Sequence, residues 1–235
     1  MCGRFTQKTP AADLAEVFDL GEIPVEFGPR YNIAPTSSVL VVPNLPGPRR
    51  AVPMRWGLVP GWAKDAAIGN QLANARSESV ADKPSFRGAF RQRRGLLLMD
   101  GFYEWQTVGK RKVPHWFTLP EGGPFAVAAL WEQWAPAGDP DAQLLSTCLL
   151  TCEPNPAVAV LHDRMAVILP RPSWSAWLSP GRADLATLQA LLVPWQGALS
   201  VLRVTDYVNV AGREGVGCIE PAEGPPPVPR QQSLF

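Results

Sequence analysis

The tightest constraint on the fold of this chain is the way proline and glycine cut its apolar sequence into short runs. There are 26 Pro and 20 Gly among 235 residues, and the stretches between them suit short strands and brief helices. Residues 38–42 and 51–56 read as strands parted by a Pro/Gly-rich turn at 43–48, and residues 95–99 as a buried strand. Residues 112–119 and 124–131 read as a hairpin around Glu121-Gly122-Gly123. Residues 144–151, 165–169 and 200–204 complete the strands, the last as a core strand. Thr9-Pro10 ahead of Leu14, Val17 and Phe18 predicts an N-capped first helix. Residues 85–93 form a short basic helix in this reading, and 174–178 and 183–193 amphipathic ones. No internal repeat or linker interrupts residues 1–220, so the expectation is a single α+β domain dominated by antiparallel pairing.

Composition narrows the class. An apolar fraction of 46% with 18% charged residues belongs to a globular chain. No apolar run approaches the ~18 residues of a membrane span, and the polar N-terminus lacks a signal peptide's apolar stretch. The expected location is the cytoplasm, without a membrane partner. Four cysteines (Cys2, Cys148, Cys152, Cys218) are too few and scattered for a disulfide framework. Cys148 and Cys152 have a zinc-like spacing but no second pair nearby, and their apolar run makes them buried strand residues. Neither a metal nor a cofactor is expected. Net charge is +1 overall, but residues 1–118 carry 16 Lys+Arg against 10 Asp+Glu and residues 119–235 carry 6 against 11. That split implies a local basic surface able to meet phosphates.

The chemistry starts at Met1-Cys2-Gly3-Arg4. Methionine is generally removed before a small residue such as Cys2, which would leave a free α-amine and a thiol on adjacent carbons. Such a 1,2-aminothiol captures an aldehyde as a Schiff base and closes it into a thiazolidine. Three further segments put ionisable or amide groups at the ends of core elements, where active sites are often assembled: Asn74-Ala75-Arg76-Ser77-Glu78, Asp100-Gly101-Phe102-Tyr103-Glu104-Trp105 and Leu161-His162-Asp163-Arg164-Met165. Of the two histidines, His162 has an acid and an Arg beside it and suits acid–base work near neutral pH, whereas His115 alternates with apolar strand residues. Trp131, Trp174 and Trp177 read as core. Trp56, Trp62 and Trp105 sit in polar motifs, and with Arg4, Arg55, Arg76 and the Arg87/Arg91/Arg93/Arg94 cluster would form an exposed stacking and charge track for a single strand.

Taken together, Met1–Phe5, Tyr31-Asn32-Ile33-Ala34-Pro35-Thr36, the run from Trp56 to Trp62, Asn74-Ala75-Arg76, Gly101-Phe102-Tyr103-Glu104-Trp105 and His162-Asp163-Arg164-Met165 stand in one order. In these motifs the chain resembles the SOS-response-associated peptidase (SRAP) family of abasic-site processing proteins over residues 2–220. Val208-Asn209 and Cys218-Ile219-Glu220-Pro221 resemble the family's closing segment. The resemblance implies a single α+β domain, with an antiparallel β-barrel-like core and flanking helices. It also implies covalent capture of abasic sites in single-stranded DNA as part of the SOS and DNA-damage response. Carried over by motif, Cys2 is the nucleophile, Asn74 positions its amine or the opened sugar, and Glu104 and His162 handle protons. Arg4, Arg76 and Arg164 would hold phosphates, with Thr151 a further contact, and Trp62 and Trp105 would pack on flanking nucleotides.

Two other functions fit parts of the same pattern. Cys2 with His162 as base would make a thiol (auto)peptidase of the N-terminal nucleophile kind, and Trp and Arg alone would make a non-catalytic single-strand binder. Residues 221–235 form a proline-rich tail that cannot build a core. Its last five residues, Gln231-Gln232-Ser233-Leu234-Phe235, resemble the bacterial sliding-clamp-binding pentapeptide, with Gln231, Leu234 and Phe235 as the contacts. The protein is otherwise expected to be a monomer.

Overall fold

The computed structural model describes residues 2–23, 27–181 and 184–224; the tail residues Gln231, Leu234 and Phe235 lie outside it. The strands are β1 Phe5–Gln7, β2 Arg30–Ile33, β3 Ser38–Pro43, β4 Val52–Trp56, β5 Asn74–Arg76, β6 Arg94–Met99, β7 Gly101–Val108, β8 Arg111–Thr118, β9 Phe125–Trp134, β10 Leu144–Cys152, β11 Met165–Ala166, β12 Ile168–Leu169 and β13 Ser200–Arg203. The helices are α1 Ala11–Phe18, α2 Arg87–Gln92, α3 Pro156–Ala159, α4 Trp174–Trp177 and α5 Leu185–Ala190.

Five strands close on themselves in the order β10-β4-β3-β6-β9, because β10 pairs with both β4 and β9. The result is the expected α+β fold with a β-barrel core and flanking helices. The barrel is antiparallel except at the β10–β4 seam, which is parallel, as is the pairing of β5 with β10. Strands β6 and β9 are buried on both faces almost throughout, since helices and a second sheet cover the outside. Their sequences are therefore continuous apolar runs without polar alternation. The second sheet, β13-β8-β7-β1-β2, packs one face on the barrel through Phe5, Phe102 and Phe117. Its other face carries Tyr103, Val204 and Cys218.

Several local expectations change. The hairpin at Gly122 does not form: β8 pairs with β7 and β13, while β9 belongs to the barrel. The true hairpin joins β7 to β8 across Gly109, at φ +60°. Residues 165–169 are two short strands, β11 on β10 and β12 on β9, as the segment crosses from one barrel strand to the next. Strand β13 is a half-exposed sheet edge, not a core strand. Thr9 does not cap α1; its hydroxyl donates to Asp100 at 2.9 Å. Trp56 is fully buried, donating its indole N–H to the Ala73 carbonyl at 2.8 Å, so it leaves the exposed track. Arg94 leaves it too, because its guanidinium is buried and donates to the carbonyls of Trp177, Phe90, Arg91 and Ser179, closing the ends of α2 and α4.

Candidate functional site

The site is built around the first residues of the chain, and Asp100 fixes where they lie. Its buried carboxylate accepts from the Thr6 hydroxyl at 2.6 Å, the backbone N–H of Lys8 at 2.6 Å and Thr9 at 2.8 Å, and the Thr9 hydroxyl. These charge-assisted bonds lock β1 between β2 and β7. Phe5 then sets its ring edge-on to Trp56, centroids 5.1 Å apart. The next step depends on glycine: a Cβ on Gly101 would lie 2.2 Å from Trp116 Nε1, so only glycine lets β7 approach β8 there. Cys2, three residues before β1, is fully buried. Burial, followed by the nearby Glu104 carboxylate, pushes its thiol pKa up. The sulfur is a neutral thiol in this setting, not a standing thiolate.

Glu104 comes from β7 and is only 2% exposed. Its Oε1 is buried with no hydrogen-bond partner among the described residues, and its Oε2 lies 3.9 Å from His162 Nε2. Burial raises its pKa from the ordinary 4.5 to about 7, so it is half protonated near neutral pH.

His162 follows α3, whose start is capped by the Asn155 side chain accepting from the Val158 N–H. Its Nδ1 accepts from the Arg164 backbone N–H at 2.9 Å. That assigns the neutral ring its proton on Nε2, facing Glu104. Burial lowers the His162 pKa, and Lys112 adds to the effect. The exposed Asp163 carboxylate, 3.0 Å from Nδ1, pulls the other way. The net direction is towards a neutral imidazole.

Asn74 reaches the site from β5, held in register opposite Leu149 of β10. Its Oδ1 is buried and unpartnered among the described residues. Glu104 and Asn74 thus each bring a buried oxygen without a partner to the candidate site, as Gln7, Arg91, Arg93 and Arg164 each hold a buried polar atom without one elsewhere among the described residues.

Two cavities share Gly3 in their linings. One, of about 520 Å³, is lined by Gly3, Arg4, Glu104, Trp105, Lys112, His162 and Asn209. The other, of about 330 Å³, is lined by Gly3, Pro35, Asn70, Gln71, Ala73 and Asn74. Arg4 borders the first, donating to Asn32 Oδ1 at 2.7 Å and the Val208 carbonyl at 2.9 Å. Its guanidinium stands 5.8 Å over the Trp105 ring, whose N–H is fixed by Asn209 Oδ1 at 2.7 Å.

The remaining expected residues do not line these two cavities. Arg76 is exposed on β5. Thr151 is buried, its hydroxyl 3.4 Å from Arg164 Nη2. Arg164 is braced by Glu78 through two bonds, 2.6 and 2.9 Å, and donates to the Thr151 carbonyl at 2.7 Å. Trp62 is 60% exposed on a loop pinned by the Trp134 indole at the Ala63 carbonyl. His115 lies opposite Glu104 on β8 but turns its Nδ1 to the Val113 carbonyl at 3.1 Å.

Lys112, Asn209, Asn70 and Gln71 were not singled out as site residues from sequence. Asn209 could have been found, since it stands in the closing segment Val208-Asn209; nothing distinguishes Lys112 from the other hairpin cations. Among the described residues no cluster of His, Cys, Asp or Glu could hold a metal, and Cys148 and Cys152 are buried in β10.

The buried Cys2 thiol, Glu104 and His162, with a cleft bordered by Arg4 and Lys112, make up the candidate site. Comparison with known proteins agrees with the fold and motifs. The model of the SOS response associated peptidase (SRAP) family matches residues 1–211. The abasic site processing protein YoqW of Bacillus subtilis is 39% identical over 215 residues, covering 89% of this chain and 94% of the relative. YedK of Escherichia coli, also named an abasic site processing protein, is 29% identical over 76% of this chain and 79% of its own length. A solved structure from Bacteroides thetaiotaomicron shares the fold with a TM-score of 0.84 at 18% identity, covering 94% of this chain and all of that one. This chain belongs to the SRAP family.

Proposed function

We propose that this protein recognises abasic sites in single-stranded DNA and links itself to them through Cys2, shielding the lesion from strand cleavage. The observation that carries the reading is that Gly3, next to Cys2 in the chain, lines one cavity with Glu104 and His162 and another with Asn74. The similarity to proteins named for abasic-site processing supports the choice of substrate.

In this reading Met1 is removed first, and the Cys2 amine then meets the sugar. An abasic sugar is mostly a closed hemiacetal, and opening it needs a proton on the ring oxygen and another taken from the anomeric hydroxyl. The neutral His162, with its proton on Nε2, suits this exchange. The Cys2 amine, with an ordinary pKa of ~7.8, is about one-third neutral at about pH 7.5, against about 0.1% for a lysine at ~10.4. It adds to the aldehyde carbon. Glu104, protonated at half occupancy near neutrality, gives a proton to the departing hydroxyl and water leaves, forming the C=N bond. The buried thiol then adds its sulfur to that carbon and its proton returns to the Glu104 carboxylate, closing the thiazolidine. One water is lost overall and no oxidant is needed. Ring closure consumes the Schiff base before β-elimination can cut the strand. In this reading Asn74 Oδ1 holds the amine or the opened sugar, while Arg4, Arg76, Arg164 and the Thr151 region hold the backbone. Trp62 and Trp105 stack on neighbouring nucleotides.

A thiol peptidase would need a thiolate, which burial of Cys2 and the adjacent Glu104 disfavour. Incubating the purified protein with intact and abasic strands separates the readings. A denaturant-stable adduct with the abasic strand alone supports capture; equal binding to both strands without an adduct would support a plain binder. At the other end of the chain, the reading assigns Gln231, Leu234 and Phe235 to the bacterial sliding clamp, with the proline-rich tail as a spacer. Clamp pull-down that disappears on deleting residues 231–235 supports it, and unchanged pull-down removes it. The protein acts as a cytoplasmic monomer in this reading.

A further inference from the structure

The two cavities that share Gly3 are chemically unlike. The one beside Glu104 offers Trp105, Arg4 and Lys112, a stacking surface with charge that suits any base. The one beside Asn74 is lined by the amides of Asn70, Gln71 and Asn74. Both are lined by Gly3, next to Cys2 in the chain, so in the abasic-DNA reading one of them is available to each neighbour of the captured sugar.

The amide cavity is rigidly framed. Gly57, at φ +134°, packs against Gly69 so closely that a Cβ on either would meet the other's carbonyl oxygen at 2.5–2.6 Å. Arg55 donates to the Gly57 carbonyl at 3.0 Å and to Asn70 Oδ1 at 2.6 Å. With Oδ1 engaged, the Asn70 amide keeps its N–H₂ donor without a partner among the described residues. The backbone is tied on both sides, Leu58 N–H to the Leu72 carbonyl at 3.1 Å and Leu149 N–H to the Ala73 carbonyl at 3.1 Å. Gln71 is exposed at the rim, and among the described residues no partner takes its amide, leaving one donor and one acceptor side by side. That pair matches the donor–acceptor edge of adenine, and unstacked bases of a single strand expose such edges.

We propose that the cavity lined by Asn70, Gln71 and Asn74 binds the base on one side of the abasic sugar and reads it, favouring adenine through Gln71, while the opposite neighbour is held without regard to sequence. This rests on the abasic-DNA reading above. The test measures crosslinking rates on oligonucleotides in which the base on either flank of the abasic site is A, C, G or T. On one flank only, adenine is expected to react about fivefold faster than a pyrimidine, towards the low end for a bidentate amide contact because Gln71 is exposed. Gln71→Glu removes the donor, leaves two acceptors, and should move the preference to cytosine, whose exocyclic amine a carboxylate accepts. Equal rates for all four bases on both flanks, or a preference that Gln71→Glu leaves unchanged, would overturn the proposal while leaving abasic capture intact. Absence of an adduct with every oligonucleotide would overturn both.

Discussion

Replacing Glu104 by Gln should make the folded protein more stable at alkaline pH while disabling its chemistry. The carboxyl is 3% exposed at its side chain and carries an unpartnered Oε1. Burial lifts its pKa from 4.5 to about 7, so the folded state holds a proton that the unfolded chain gives up sooner. Stability therefore falls as pH rises between those two values and is level on either side. At ~1.4 kcal/mol for each tenfold change in proton affinity, the whole penalty is about 3 kcal/mol above pH 8. Glutamine has nearly the same shape and never ionises. Urea unfolding of wild type and Glu104→Gln at pH 4.5 and pH 8.5 isolates the effect as a difference of differences, with the variant gaining roughly 3 kcal/mol between the two. Adduct formation should fall at least a hundredfold, the usual contribution of a placed acid. An unfolding difference that does not move with pH would mean that Glu104 titrates as an ordinary carboxylate, and its role as the acid would fall with it.

Three smaller perturbations probe the surroundings. Lys112→Ala should weaken single-strand binding and make the slope of log affinity against log salt shallower by about 0.7, the share of one phosphate contact, read by fluorescence anisotropy; an unchanged slope removes Lys112 from the track. Glu78→Ala releases the Arg164 guanidinium from its ion pair, so single-strand affinity should rise severalfold at low salt if Arg164 meets phosphate, and remain flat if it does not. Gly101→Ala forces a methyl against the Trp116 indole and should cost about 1–3 kcal/mol in denaturant unfolding, as overpacking does; a neutral result would mean that β7 and β8 can part there.

Much of this site could be read in the sequence, and the reason is local. Cys2, Asn74, Glu104 and His162 each sit in a short motif with its own Gly, Pro, Trp or Arg neighbours, and the fold brings those motifs to the two cavities that share Gly3. Barrel strands such as β6 and β9 were legible because burial on both faces makes them plain apolar runs. What escaped was non-local. Pairing of β8 with β7 instead of β9 turns on Gly101 and on which sheet covers the barrel, neither of which marks the Gly122 turn. Trp56 and Arg94 stand in polar-looking motifs, yet each is buried because a distant carbonyl accepts from it. Lys112 and Gln71 gain their meaning only from cavities whose walls come from separate segments.

In the proposed mechanism the Cys2 amine attacks first and its sulfur closes the ring second. Intact mass spectrometry of the protein with an abasic single strand tests it, comparing wild type freed of Met1, Cys2→Ser freed of Met1, and a form that retains Met1, each with and without borohydride. Wild type should form an adduct weighing the sum of its parts less one water that survives without reduction. Cys2→Ser should appear as an adduct only when borohydride traps the Schiff base, and the form retaining Met1 should give none. A stable, unreduced adduct from Cys2→Ser, or from the form that keeps Met1, would contradict the account.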